Sequence, residues 1–235
     1  ATACTNAPEL IANSLEGKPV IHFDGASAES LVLPTSSQLG IQNSDYEVFV
    51  VGRATTGDVQ FYLSSDSKEH YELHIKDVDP SGRFIPRGKT GPTPHYADLP
   101  PSMKFTANMP YLYTTRVEDG TGHIGIVGID SPNTVASAQS SQDVNLALGT
   151  RLSQNRYYLT GDIGEVLIYN QKLSSADRQQ VERYLMNKWN AGLVLSETGG
   201  SYQDSVSPAL GFNLALLPDS DAFAHGNGHA LAECD

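Results

Sequence analysis

The chain has 235 residues, 39% of them apolar, and a formal net charge of −12. That length buries a sizeable core within one all-β domain, and the acidic balance excludes nucleic acid and anionic membrane as natural partners, since both repel it. No apolar run approaches the length that inserts into a bilayer, and the N-terminus lacks the basic and apolar pattern of a signal peptide, which leaves a processed and an internal start equally open.

Residues 1–16 are polar, with Leu10-Ile11 as a short apolar anchor in an otherwise irregular segment. Val20 to Phe23 is predicted as the first strand and Ser30 to Leu33 as the second, joined by the turn-forming run Asp24-Gly25-Ala26-Ser27. Asp45 to Ala54 places Val48, Val50 and Gly52 on one side and Phe49 and Val51 on the other. A strand apolar on both faces belongs in the middle of a sheet. Asp58 to Ser64 and His70 to Lys76 follow as a hairpin around Ser65-Asp66-Ser67-Lys68. Asp77 to Pro101 then breaks the rhythm. It is rich in proline and glycine with only Phe84-Ile85 as a short strand, and a loop of that length in a compact domain is a functional candidate.

Met103 to Thr106, Tyr111 to Glu118, His123 to Ile129 and Val144 to Leu148 resume the strand pattern, with a turn at Asp119-Gly120-Thr121-Gly122. Tyr157 to Thr160 leads into Gly161-Asp162-Ile163-Gly164-Glu165-Val166-Leu167-Ile168-Tyr169, a strand rich in β-formers. Ser174 with Asp177 three residues on starts a helix, and Leu173 is placed to pack back over its first turn. Val181, Tyr184, Leu185 and Trp189 make one apolar stripe, and Gly192 is placed to end the helix. One stripe cannot bury itself, so the helix must dock on a sheet. Residues 193–235 change texture and read as a C-terminal extension, with Leu210 to Leu217 as a further strand laid along the main domain of 1–192.

Two stretches carry a resemblance. Gly161 to Asn170, a Leu-Ser turn, and a helix ending Tyr184-Leu185-Met186-Asn187-Lys188-Trp189 resemble bacterial domains of the laminin-G-like, concanavalin A-like superfamily. Gly17-Lys18-Pro19-Val20-Ile21-His22-Phe23-Asp24-Gly25 with Leu31-Val32-Leu33-Pro34 looks like the opening strand pair of the same domains. The resemblance covers residues 8–192. It implies an all-β, two-sheet antiparallel jelly-roll β-sandwich with one short helix near 174–191. The superfamily hosts lectins, adhesion modules and polysaccharide-cleaving enzymes, so the fold does not choose the activity. It also implies a secreted, cell-surface or periplasmic location and a place within a larger multidomain protein.

Catalytic signatures of the superfamily are missing. The Glu-x-Asp-x-x-Glu strand that sets nucleophile and acid on one sheet face does not occur. Neither do the Arg-x-Glu-hydrophobic-Arg and Gln-hydrophobic-His strands of alginate-lyase relatives, although Glu72-Leu73-His74 faintly echoes the second. The resemblance implies a calcium ion at the sandwich rim, for which Asp24, Asp119 and Asp162 are candidate ligands beside glycines, with Asp219-Ser220-Asp221 as a further oxygen pair. Each aspartate reads first as a turn-former. His225-Gly226-Asn227-Gly228-His229 has a zinc-like spacing, but its glycines oppose the helix that spacing needs. Because the terminal strands of a jelly roll commonly lie near each other, Cys4 and Cys234 are expected to form a disulfide, worth about 4–5 kcal/mol in the chain-entropy model.

Glycan binding needs exposed rings to stack on sugar faces and polar forks for hydroxyls. The expected site is therefore the loop 83–97 and the adjacent strand face, with Tyr71, His74, Arg87, His95, Tyr96 and Arg116 as ligand-binding residues. The sequence thus points to a non-catalytic carbohydrate-binding module whose partner is a polysaccharide. Its rivals are a protein-adhesion module, stiffened by calcium, and a lyase or hydrolase with non-standard catalytic residues.

Overall fold

The computed structural model describes residues 6–75, 82–87, 96–100, 103, 106–137 and 142–191, without the Arg87 side chain. Cys4, Cys234, His95, Gly192, both histidines of the 225–229 run and the whole 193–235 extension lie outside the described residues, as do the expectations that rest on them.

Among the described residues, thirteen strands and one α-helix follow in order. They are β1 Glu9–Leu15, β2 Lys18–Phe23, β3 Leu31–Leu33, β4 Tyr46–Ala54, β5 Gln60–Ser65, β6 His70–Ile75 and β7 Gly82–Arg87. After these come β8 Ala97–Asp98, β9 Tyr111–Glu118, β10 Thr121–Ile126, β11 Ile129–Ala136, β12 Leu146–Leu148, β13 Gly161–Tyr169 and α1 Ser175–Trp189. They form a seven-stranded sheet, β1-β2-β13-β4-β9-β10-β11, and a six-stranded sheet, β3-β12-β5-β6-β7-β8, every pairing antiparallel. This is the expected two-sheet sandwich with one short helix.

β4 shows how the sequence builds it. Val48 and Val50 face the layer between the sheets, where Tyr62, Leu73, Phe84, Tyr113 and Ile168 meet them. Phe49 and Val51 face the other way, into a second apolar cluster with Leu112, Leu167, Val181, Leu185 and Trp189. So β4 is central and needs cover on both faces, and α1 supplies the outer one. Each large side chain fully buried there contributes about 1.5–3 kcal/mol. The Ser174 hydroxyl accepts the Asp177 amide and caps the start. Asn190 in a left-handed conformation, not Gly192, ends the helix. A bulge between Ile163 and Glu165 on β13 turns Glu165 outward. There it accepts the Trp189 Nε1–H at 2.6 Å and pairs with Lys188 at 3.0 Å. Gly164 is required at the bulge, because the Trp189 ring lies within about 3 Å of where its Cβ would stand.

Several expectations are corrected. The Leu10–Ile11 anchor belongs to a full edge strand, β1, whose mostly exposed side chains hide it from an apolar pattern. β2 and β3 do not pair with each other; the turn between them carries the chain from one sheet to the other. The His123–Ile129 segment is two strands, broken at Val127-Gly128, both with positive φ. Met103 and Thr106 lie in no strand, Met103 donating its amide to the Pro100 carbonyl at 2.8 Å.

Candidate functional site

The outer face of the six-stranded sheet is set by three cross-strand registers. Phe61 pairs with His74, His74 with Arg83, and Arg83 with Asp98. Residues in register share a face, so four strands contribute one row of an aromatic ring, an imidazole, a guanidinium and a carboxylate. Leu73, Ile75, Phe84 and Ala97 between them point into the sandwich. Two residues along from the row, Glu72 and Ile85 pair and share the same outer face.

Phe61 stacks on His74 at 4.4 Å between ring centroids, with the planes 22° apart. Arg83 holds Asp98 through two bonds, Nε to Oδ1 at 2.7 Å and Nη2 to Oδ2 at 3.0 Å, while its guanidinium lies 3.6 Å from the Tyr96 ring centroid. Burial pulls the Arg83 pKa down, but the Asp98 hydrogen bonds and charge override it and raise it. The Arg stays charged at any working pH.

A loop at 150–157 closes the opposite end of the row. It is docked on β5 by the Ser64 hydroxyl, which donates to the Thr150 carbonyl at 2.6 Å and accepts the Leu152 amide at 2.9 Å. From this loop Arg151 grips Glu72 with two bonds, at 2.9 and 3.1 Å, and places its guanidinium 5.3 Å from the Phe61 ring centroid. Burial pushes the Glu72 carboxyl above its ordinary value, against the pull of Arg151. Tyr157 lays its ring nearly parallel to Phe61 at 6.1 Å, and Arg156 sits 4.4 Å from the Tyr157 centroid. Tyr157 is 36% exposed, the aromatic residue most open to solvent among the described residues.

The expected site residues divide. His74 and Tyr96 do meet, through Arg83 between them, and the backbone of Arg87 ends β7 beside His70. Tyr71 is on the wrong face of β6 for a ligand platform: it is 1% exposed, packs on Tyr46, and donates its hydroxyl to the Ile41 carbonyl. Arg116 is in the other sheet, held by Asp130 at 2.7 and 2.9 Å and by Glu118 at 3.2 Å. Arg83 opens the expected loop 83–97, whereas the row residues Phe61 and Asp98, with Arg151, Arg156 and Tyr157, escaped sequence reasoning. A signal existed in the arginine- and tyrosine-bearing run Arg151-Leu152-Ser153-Gln154-Asn155-Arg156-Tyr157-Tyr158.

The candidate calcium ligands do not assemble. Asp119 follows β9 beside Asp45, at one end of β4, whereas Asp162 pairs with Arg53 at the other end. Asp162 spends one oxygen on His22 at 2.8 Å and the other on Arg53. Asp24 caps the short turn Gly25–Ser27, accepting from Ala26 and Ser27. Among the described residues no group of three or more histidines, cysteines or carboxylates is arranged to hold a metal ion.

No family model and no curated protein matches the sequence. Solved structures do. The chain is similar to the CBM40 of the Ruminococcus gnavus IT-sialidase bound to α2,3-sialyllactose, at 15% identity and a TM-score of 0.51, over 63% of this chain and 86% of that one. It is similar to domain 4 of an extracellular GH43 arabinanase from Geobacillus stearothermophilus, in complex with arabinotriose, at 14% identity and a TM-score of 0.52, over 74% and 84%. It is also similar to a Trypanosoma rangeli sialidase at 12% identity and a TM-score of 0.55, over 74% of this chain but 28% of that one. Identities this low establish the β-sandwich fold and no narrower family.

Proposed function

We propose that this chain is a non-catalytic carbohydrate-binding module of an exported protein, taking a glycan on the outer face of the six-stranded sheet. The observation that carries the reading is the row Tyr157–Phe61–His74–Arg83–Tyr96 across one face, in which the buried Phe61 and His74 support Tyr157, Arg83 and Tyr96, the members that reach solvent. Rings offer flat surfaces to the C–H faces of sugars, and fixed guanidiniums and carboxylates offer forks to hydroxyls. Two of the similar structures bear bound oligosaccharides, sialyllactose and arabinotriose, which supports a glycan as the class of ligand. The face offers a poor catalytic pair, because Glu72 and Asp98 are both tied to arginines. Among the described residues, exposed large apolar side chains are scattered over β1, β3 and β11, at Leu10, Val32 and Ile129, and offer protein adhesion no contiguous patch. The three aspartates form no single donor set, so the proposed module binds its glycan without calcium at those residues.

The test is retention on a polysaccharide panel by affinity electrophoresis, with parallel assays for reducing ends and unsaturated products. Retention without product, weakened by Tyr96→Ala and Tyr157→Ala and untouched by a chelator, is the expected result. Product formation sinks the non-catalytic reading, and absence of retention on every glycan sinks glycan binding.

A further inference from the structure

Three arginines border the row, and they are not equivalent. Arg83 and Arg151 are each neutralised by a carboxylate gripped through two bonds, Asp98 and Glu72. Arg156 is exposed and, among the described residues, forms no ion pair; its guanidinium rests against the ring of Tyr157. Among the described residues, and in a chain of net charge −12, Arg156 is thus an uncommitted cation at the end of the row.

The backbone around it is fixed. Arg151 donates its amide to the Arg156 carbonyl at 2.9 Å, Gln154 to the Arg151 carbonyl at 3.1 Å, and Asn155 to the Leu152 carbonyl at 3.3 Å. The Tyr158 hydroxyl donates to Asn155 Oδ1 at 2.6 Å. Arg156 stands between two left-handed residues, Asn155 at φ 49° and Tyr157 at φ 59°. Asparagine tolerates that conformation, whereas a tyrosine there is held at a cost of about 1–2 kcal/mol. A strained residue whose ring is about a third exposed marks this loop as a candidate for function.

We propose that Arg156 and Tyr157 form an anion subsite that takes the carboxylate of an acidic sugar residue in the glycan. The proposal rests on the glycan-binding reading and names the class of sugar. A planar guanidinium donates to both oxygens of a carboxylate at once, and the adjacent Tyr157 ring accepts the face of the sugar that bears it. The immobilised loop presents both groups without an ordering cost on binding. A densely sulfated polymer is disfavoured, because a single guanidinium beside the row in a chain of net charge −12 cannot offset the repulsion of many charges.

The test pairs each acidic probe with its neutral counterpart: polygalacturonate with its carboxyl-reduced form for an internal uronate, and α2,3-sialyllactose with lactose for a terminal acid. Titration calorimetry at low salt is run on the wild-type chain and on Arg156→Gln and Arg156→Lys. The expected result is that one acidic probe binds about tenfold tighter than its neutral partner, the worth of one charge-assisted pair. Arg156→Gln is expected to erase that preference and Arg156→Lys to keep only part of it. Equal binding of both members of each pair, or a preference that survives in Arg156→Gln, overturns the anion subsite and leaves glycan binding standing. Failure to bind any probe, neutral or acidic, overturns the anion subsite, and retention on the polysaccharide panel then decides glycan binding separately.

Discussion

Among the described residues, each sheet carries on its outer face a buried glutamate clamped by an arginine from outside the sheet. On the seven-stranded sheet Glu47 of β4 receives Arg178 at 2.9 and 2.5 Å and the Leu173 amide at 3.1 Å. On the six-stranded sheet Glu72 of β6 receives Arg151 at 2.9 and 3.1 Å. The clamps match in chemistry and differ in what their arginine is attached to. Arg178 rides on α1, which goes on to seal Phe49, Val51, Leu112 and Leu167 beneath Val181, Leu185 and Trp189. Arg151 rides on a loop docked on β5, and the ring-and-guanidinium row runs on past it to Tyr96. A buried ion pair therefore marks neither face as functional by itself. What distinguishes them is the cover: apolar side chains of α1 on one face, and on the other a polar loop that leaves Tyr157 exposed and Arg83 and Tyr96 partly so.

The comparison breaks most visibly at Trp189. Trp189→Ala empties the seam between α1 and β13 and strips Glu165 of its indole donor, so a loss of about 3–5 kcal/mol is expected in denaturant unfolding. Glycan retention per folded molecule should not change. A loss of retention beyond the folded fraction would mean that the two faces are coupled. The clamps come next. Arg178→Ala and Arg151→Ala each strand a buried carboxylate, at a cost of about 3 kcal/mol or somewhat more. Only Arg151→Ala should also weaken glycan binding; equal binding defects would erase the functional distinction between the faces.

A smaller effect sharpens the sealed side. Glu182 on α1 is buried against β9, with Thr114 as a hydroxyl donor at 3.3 Å. Burial raises its carboxyl pKa in the folded chain, partly countered by Thr114. The folded chain then binds that proton more tightly than the unfolded one. Stability from this residue is present at low pH and declines as pH rises from the ordinary value near 4.5 through the raised one. Glu182→Gln should therefore gain in melting temperature over wild type at pH 7, and the gain should vanish by about pH 4. A difference independent of pH would show that burial does not govern this carboxyl. Glu72 shifts in the same direction and is common to both proteins, so it drops out of the difference.

The architecture was legible because its pattern is local. β4 shows apolar residues on both sides, and the Ser174–Asp177 cap with the 181–189 stripe names a helix that must lie on a sheet. The edge strands were not legible: β1 and β11 leave most side chains in solvent, and an exposed strand has no apolar alternation to read. The site was half legible. Tyr96 and His74 stood out as polar or aromatic residues without a core role, but face depends on register. Tyr71 shares its face with Leu73 and Ile75 by plain alternation, opposite to His74, and so lies in the core. The extra residue on β5 between Phe61 and Leu63 shifts the register by one position, which moves a side chain to the opposite face and sets Phe61 on the row. Arg151 and Tyr157 come from a loop docked by Ser64, a contact between residues far apart in sequence.

The smallest expected stability change bears most directly on the open face. Tyr157→Gly removes a ring pair with Phe61 worth about 0.5–1.5 kcal/mol. It also relieves a left-handed backbone that costs a tyrosine about 1–2 kcal/mol and glycine almost nothing. The two terms oppose, so the net shift should stay within about 1 kcal/mol of wild type, while glycan retention falls. Tyr157→Ala loses the same ring but keeps the strain, and should be less stable than Tyr157→Gly by about 1 kcal/mol. Chemical denaturation of the three proteins side by side separates the terms. Equal stabilities of the alanine and glycine variants would mean that the loop holds no strain, and the argument that it is shaped for a ligand would lose its energetic basis. The ordering glycine above alanine, with retention lost in both, would place the function of this residue outside its contribution to folding.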